Sequence, residues 1–124
     1  MPFDANPEPL LPQADQRQRL LQLCRVLERV SDSSFDLRDW SRSSLCRTVS
    51  CAVGWATRDP WFRAQGLGRE EGSPAFGEDR GWTAVRRFFG LSKDEALYLF
   101  HQASYGHATR EAVMARIRDF AERT

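Results

Sequence analysis

Cys46 is the residue whose type and position best suit nucleophilic chemistry. The apolar spacing of Leu45, Cys46, Val49, Ala52, Val53 and Ala56 predicts a helix over 44–58, with Ser43 as its N-cap. Cys46 then falls in the first turn, where unpaired amides and the helix dipole favour a thiolate. A cysteine so placed, served by a histidine from elsewhere, is the arrangement of thiol-dependent hydrolases and transferases. Two histidines are available, His101 and His107. His101 sits about 100° from Phe100 on its helix, toward solvent. His107 follows Gly106 in a turn and is the better-placed base, with Asp36 or Asp39 to orient it. The competing reading is that Cys46 packs as a small hydrophobe, the commoner role of a free cysteine.

Other chemistry is weaker. Cys46 and Cys51 are separated by about 140° around a helix, so their thiols would not share a bond or a metal. Adding Cys24, His101 or His107 gives no zinc-like spacing, and no metal is expected. There is no GxGxxG, Walker or HExxH pattern, and no cofactor is expected. Gly66-Leu67-Gly68-Arg69 has the glycines of half a phosphate cradle but follows no predicted strand.

Recognition is the remaining class. Trp61, Phe62 and Trp82 flank a glycine-rich stretch and could anchor a protein partner, since aromatic and arginine side chains dominate interface hot spots. Arg86 follows Trp82 by one turn and joins that set. The alternative is that these aromatics fill the core of a small domain. Nucleic acid is a third possibility, because Lys93 is the only lysine among 18 basic residues. On the last predicted helix, however, Arg110, Arg116, Arg118 and Arg123 alternate with Glu111, Asp119 and Glu122, the pattern of a solvated face rather than a basic stripe. Nucleic acid is therefore not the expected partner.

These residues need a scaffold, and 124 residues suffice for one domain. Apolar residues make up 41% and charged residues 28%, a globular balance, and the formal net charge of +1 gives no large overall field. Residues 1–14, with Pro2, Pro7, Pro9 and Pro12, read as an extended leader. Residues 15–124 read as a single helical domain. Leu20, Leu23, Cys24, Leu27 and Val30 form the stripe of a first helix capped by Asp15. Phe35, Leu37 and Trp40 read as a connector pinned to the core. The 44–58 helix is apolar around most of its girth and is expected to be central, ending at Asp59-Pro60. Residues 59–81 show no helical period and read as a long irregular loop rich in glycine and aromatics. Helices are expected over 82–89, from the Ser92/Glu95 capping box to Gly106, and from Thr109 to the end. The predicted fold is thus all-α, with about five helices.

Neither a signal peptide nor a run of about 18 apolar residues is present, and three cysteines without CxxC spacing suit a reducing compartment. A cytoplasmic location without membrane contact is expected.

The stretch from Cys46 to Ala56, containing Cys46-Arg47-Thr48, Cys51 and Gly54-Trp55-Ala56, resembles a motif written CGTxxCxxGWA. Gly90-Leu91-Ser92, Glu95-Ala96 and Leu99-Phe100 resemble a following GLSxxEAxxLF motif. Together they are similar to a loose group of short bacterial and phage proteins, with Arg47 in place of the motif's glycine. The resemblance covers about a quarter of the chain. It implies a helical domain of bacterial or phage origin and carries no activity. The leading expectation is a small non-catalytic interaction or regulatory protein that binds a protein partner through 61–82.

Overall fold

The protein is described by a computed structural model that covers residues 15–36, 42–43, 48–49 and 51–123. The first helix, α1 (Gln16–Leu27), opens on a reciprocal capping box. Asp15 accepts the Gln18 N–H at 2.8 Å, and the Gln18 side chain accepts the Asp15 N–H at 2.9 Å. Its stripe of Leu20, Leu23, Cys24 and Leu27 is buried. A 3-10 turn (Asp32–Ser34) follows, and Phe35 is half-buried against the core. Leu37, Trp40 and the 1–14 leader lie outside the described residues.

The expected central helix over 44–58 is not formed as read. Arg42–Ser43 (β1) pairs antiparallel with Thr48–Val49 (β2). Only Ala52–Ala56 (α2) is helical. Adjacent β-branched residues at 48–49 favour extended backbone. Cys51 is extended at ψ 179° and caps α2, its Sγ accepting the Gly54 N–H at 3.3 Å. The central helix is instead α1, which packs against α2, α4 and α6. Asp59-Pro60 does end α2, but it also begins α3 (Pro60–Ala64). The Asp59 carboxylate accepts the N–H groups of Trp61 and Phe62 at 3.0 and 3.3 Å, and Pro60 occupies a first-turn position that has no hydrogen bond to lose.

The all-α expectation fails next. Residues 67–80 form an antiparallel sheet in the order β3 (Leu67–Glu70), β4 (Ser73–Phe76), β5 (Asp79–Arg80), so the fold is α+β. Both hairpins have two-residue loops. Glu71 and Gly72 take φ of 52° and 83°, the double positive φ of a type I′ turn. Gly77, at φ 62°, begins the second loop, as type II′ geometry requires. Pro74 lies opposite Arg69 in a non-hydrogen-bonded pair, and β5 ends before reaching it, so its missing N–H breaks no ladder bond. Leu67, Pro74 and Phe76 share one face of the sheet, and β4 lies against α4 (Gly81–Phe89).

Val85, Phe88 and Phe89 of α4 are buried, and Gly90 ends the helix at φ 65°. Helix α5 (Lys93–Phe100) starts with the expected Ser92/Glu95 box. It stops at Phe100 rather than running to Gly106, because His101 is extended and its Nδ1 accepts the Ala103 N–H to cap a 3-10 turn, Gln102–Ser104. Helix α6 (Arg110–Arg123) begins where Thr109 Oγ1 accepts the Ala112 N–H at 3.1 Å, and it buries Val113, Ile117 and Ala121 against α1. No helix among the described residues is long and apolar enough to cross a membrane.

Candidate functional site

Cys46 lies outside the described residues. The helix whose amide end was to activate it begins at Ala52, and the cysteine at that end is Cys51, which is buried and serves as the cap. Cys24 is also buried, and its Sγ lies 3.6 Å from the Met114 carbonyl. Burial pushes the Cys24 thiol up from its ordinary value. Glu28 and Glu122 add to that push, and Arg118 opposes it. Both histidines are exposed. His107 sits in the turn before α6, while His101 stacks on Trp82 with ring centroids 6.0 Å apart and a 29° interplanar angle. Neither described thiol is open to solvent beside them. No cluster of three His, Cys, Asp or Glu that could hold a metal occurs among the described residues.

The aromatic set of the 61–82 segment divides. Phe62 is 0% exposed; its ring centroid lies 5.7 Å from Phe88 and 6.1 Å from Phe89. It is a core residue and offers no surface. Trp61 packs edge-on against Phe62 at 5.0 Å and is half-buried. Trp82, also half-buried, stands at the N-terminal end of α4. Arg86 is exposed one turn after Trp82, so these two share a face of α4. The structure therefore puts Trp82 and Arg86 one turn apart on α4 and puts Phe62 in the core.

The C-terminal end of α4 is held unusually well. The Leu91 N–H returns to the Arg86 carbonyl at 2.9 Å, the six-to-one bond of a Schellman end, and Leu91 is buried beneath it. Gln16 Nε2 donates to the carbonyls of Phe89 (3.1 Å) and Gly90 (2.8 Å). Arg19 Nη1 donates to the Phe88 carbonyl. Arg19 is itself buried, with its guanidinium 4.0 Å from the Phe88 ring centroid and Nη2 donating to Gln65 at 3.1 Å. Burial lowers its pKa. Sequence reasoning missed both caps. Arg19 is one residue away from the apolar stripe, and long-range capping by Gln16 leaves no local signal.

Six other arginines among the described residues are engaged. Arg80 meets Glu70 at 2.8 Å, Arg87 meets Asp79 at 3.1 Å, Arg118 meets Glu28 at 3.6 Å and Arg123 meets Asp119 at 2.7 Å. Arg110 bonds both Asp32 and the Leu27 carbonyl at 2.9 Å, tying α6 to the end of α1. Arg116 lies between two tyrosine rings, 4.2 Å from the Tyr98 centroid and 3.7 Å from that of Tyr105, while donating to the Tyr98 carbonyl at 2.8 Å. Arg86 has no acid partner among the described residues. Beside it opens a cleft of about 310 Å³, lined by Thr83, Arg86, Arg87, Gly90 and Leu91.

Comparison with protein-family models, with curated proteins and with solved structures returns no match to the chain.

Proposed function

We propose that this is a small, non-catalytic interaction or regulatory protein, of bacterial or phage origin and cytoplasmic, that binds a protein partner through the face formed by Trp82 and Arg86. The supporting observation is that a partly buried indole and an exposed guanidinium with no acid partner among the described residues lie one turn apart on a firmly anchored helix. Tryptophan and arginine are the side chains most enriched in hot spots, and a rigid helix presents them with little entropy cost. Of the 61–82 segment, Phe62 acts from the core and the three-stranded sheet braces α4 from behind.

The test is affinity capture from the native cell lysate with the wild type and with W82A/R86E, each checked for a cooperative melt well above the assay temperature. Loss of one reproducible partner in the double variant supports the reading. An unchanged set of captured proteins overturns it.

The interleaving of acids with Arg80, Arg87, Arg118 and Arg123 weighs against nucleic acid as the partner. A thiol enzyme using Cys46 and His107 has less support, because the helix end proposed to activate Cys46 belongs to Cys51.

A further inference from the structure

Arginines in the last turn of a helix ordinarily serve the helix itself, by interacting with its terminal carbonyls. In α4 that work is done by others. The Arg86 carbonyl takes the returning Leu91 N–H, Arg19 serves Phe88, and Gln16 serves Phe89 and Gly90. Arg87 is held by Asp79. Arg86 is left as a cation with neither a capping duty nor an acid partner among the described residues, and it faces a cleft of about 310 Å³. That volume is at the small end of ligand sites. Thr83, one turn earlier and exposed, adds a hydroxyl, and Leu91 adds an apolar wall.

We infer that this cleft receives a carboxylate side chain from an acidic segment of the protein partner. The inference rests on the partner face proposed above. Arg86 supplies charge-assisted N–H donors and Thr83 a second donor, while Leu91 and the Arg86 stem cover the methylenes of the incoming side chain. An anion at a helix C-terminus normally meets the negative end of the dipole. Here Gln16 and Arg19 already satisfy the terminal carbonyls, which offsets that repulsion. A cationic segment would meet Arg86 directly and be repelled, since Arg87 is already neutralised by Asp79.

The test is an NMR titration of the full ¹⁵N-labelled chain with two capped synthetic peptides, acetyl-Ala-Glu-Leu-Glu-Ala-amide and its lysine counterpart. The glutamate peptide is expected to shift the amides of Thr83, Arg86, Arg87 and Gly90 and the Arg86 Nε–H, and to bind R86Q about tenfold more weakly or worse, the loss expected for a charge-assisted bond. The lysine peptide is expected to leave those signals in place. The inference is overturned if the glutamate peptide leaves these positions unmoved, if R86Q binds it equally well, or if the lysine peptide produces the same shifts. If W82A loses the captured partner while R86Q keeps it, the carboxylate cleft is wrong and the partner face stands. If both variants keep it, the face itself is wrong.

Discussion

Replacing Phe62 with alanine separates a core role from a surface role for the aromatic set. The side chain is 0% exposed and touches the rings of Trp61, Phe88 and Phe89 at centroid distances of 5.0, 5.7 and 6.1 Å. Three of its neighbours are themselves large rings, so the hole left behind cannot easily collapse. Buried Phe→Ala changes cost about 3–5 kcal/mol, combining lost transfer energy with the cavity. Domains of this size have a total stability of about 5–15 kcal/mol, so F62A removes a large fraction of it. The melting temperature should fall by about 10–20 °C. Arg86→Ala, at an exposed position, should change stability by no more than about 0.5 kcal/mol. The assay is urea unfolding followed by tryptophan fluorescence, with Trp61 reporting from beside the altered site. A loss below about 1 kcal/mol in F62A would refute the packing described here and return Phe62 to the surface.

Further outcomes follow from other contacts. Gly90→Ala should destabilise by about 1–2 kcal/mol because φ is 65°, whereas Glu71→Gly should stabilise, since Glu71 holds φ 52°; thermal melts that move both variants in the same direction would contradict the turn assignments. Gln16→Ala should cost about 1–2 kcal/mol by leaving the Phe89 and Gly90 carbonyls unserved, and it should speed amide exchange at the end of α4. Burial raises the Tyr105 phenol well above its ordinary value of about 10, against the opposing effect of Arg116. The unfolded chain therefore loses this proton first, and the stability Tyr105 contributes, complete below about pH 10, declines as pH rises toward the folded value. Ultraviolet titration of Y98F should show its remaining phenol ionising late; ionisation near pH 10 would count against the Tyr105–Leu99 contact. In a C46S variant, Cys24 and Cys51 should react with iodoacetamide only on unfolding, and rapid native labelling would contradict their burial.

Legibility in the sequence followed the range of the interactions. The capping boxes at Asp15/Gln18 and Ser92/Glu95 and the Thr109 cap are local patterns, and the structure contains all three. The sheet was also written locally, in Glu71-Gly72 and Gly77-Glu78, two-residue turns bracketing a four-residue strand. Glycines at such spacing fit an irregular loop as well as hairpin turns, and their positive φ decides for the turns. The 44–58 stripe misled because Val49 fits a helical period while its backbone pairs with Arg42 in a strand. Asp59-Pro60 signals both a stop and a start, since the proline that cannot continue α2 suits the first turn of α3.

Within the site, the Trp82–Arg86 spacing was legible because both lie on one helix. Nothing in the order of residues says that Phe62 turns inward toward Phe88 and Phe89, or that Gln16 and Arg19 relieve α4's arginines of capping. Those are contacts across more than twenty residues of sequence.

The partner face is tested most directly by photo-crosslinking in the native cell, with a benzophenone side chain replacing Thr83 beside Arg86 or, as a control, Ala115 on the exposed side of α6. A single discrete adduct from position 83, absent from position 115 and lost on adding W82A, is the expected result. Adducts of equal yield from both positions, or none from position 83, would contradict the α4 face as the site of binding.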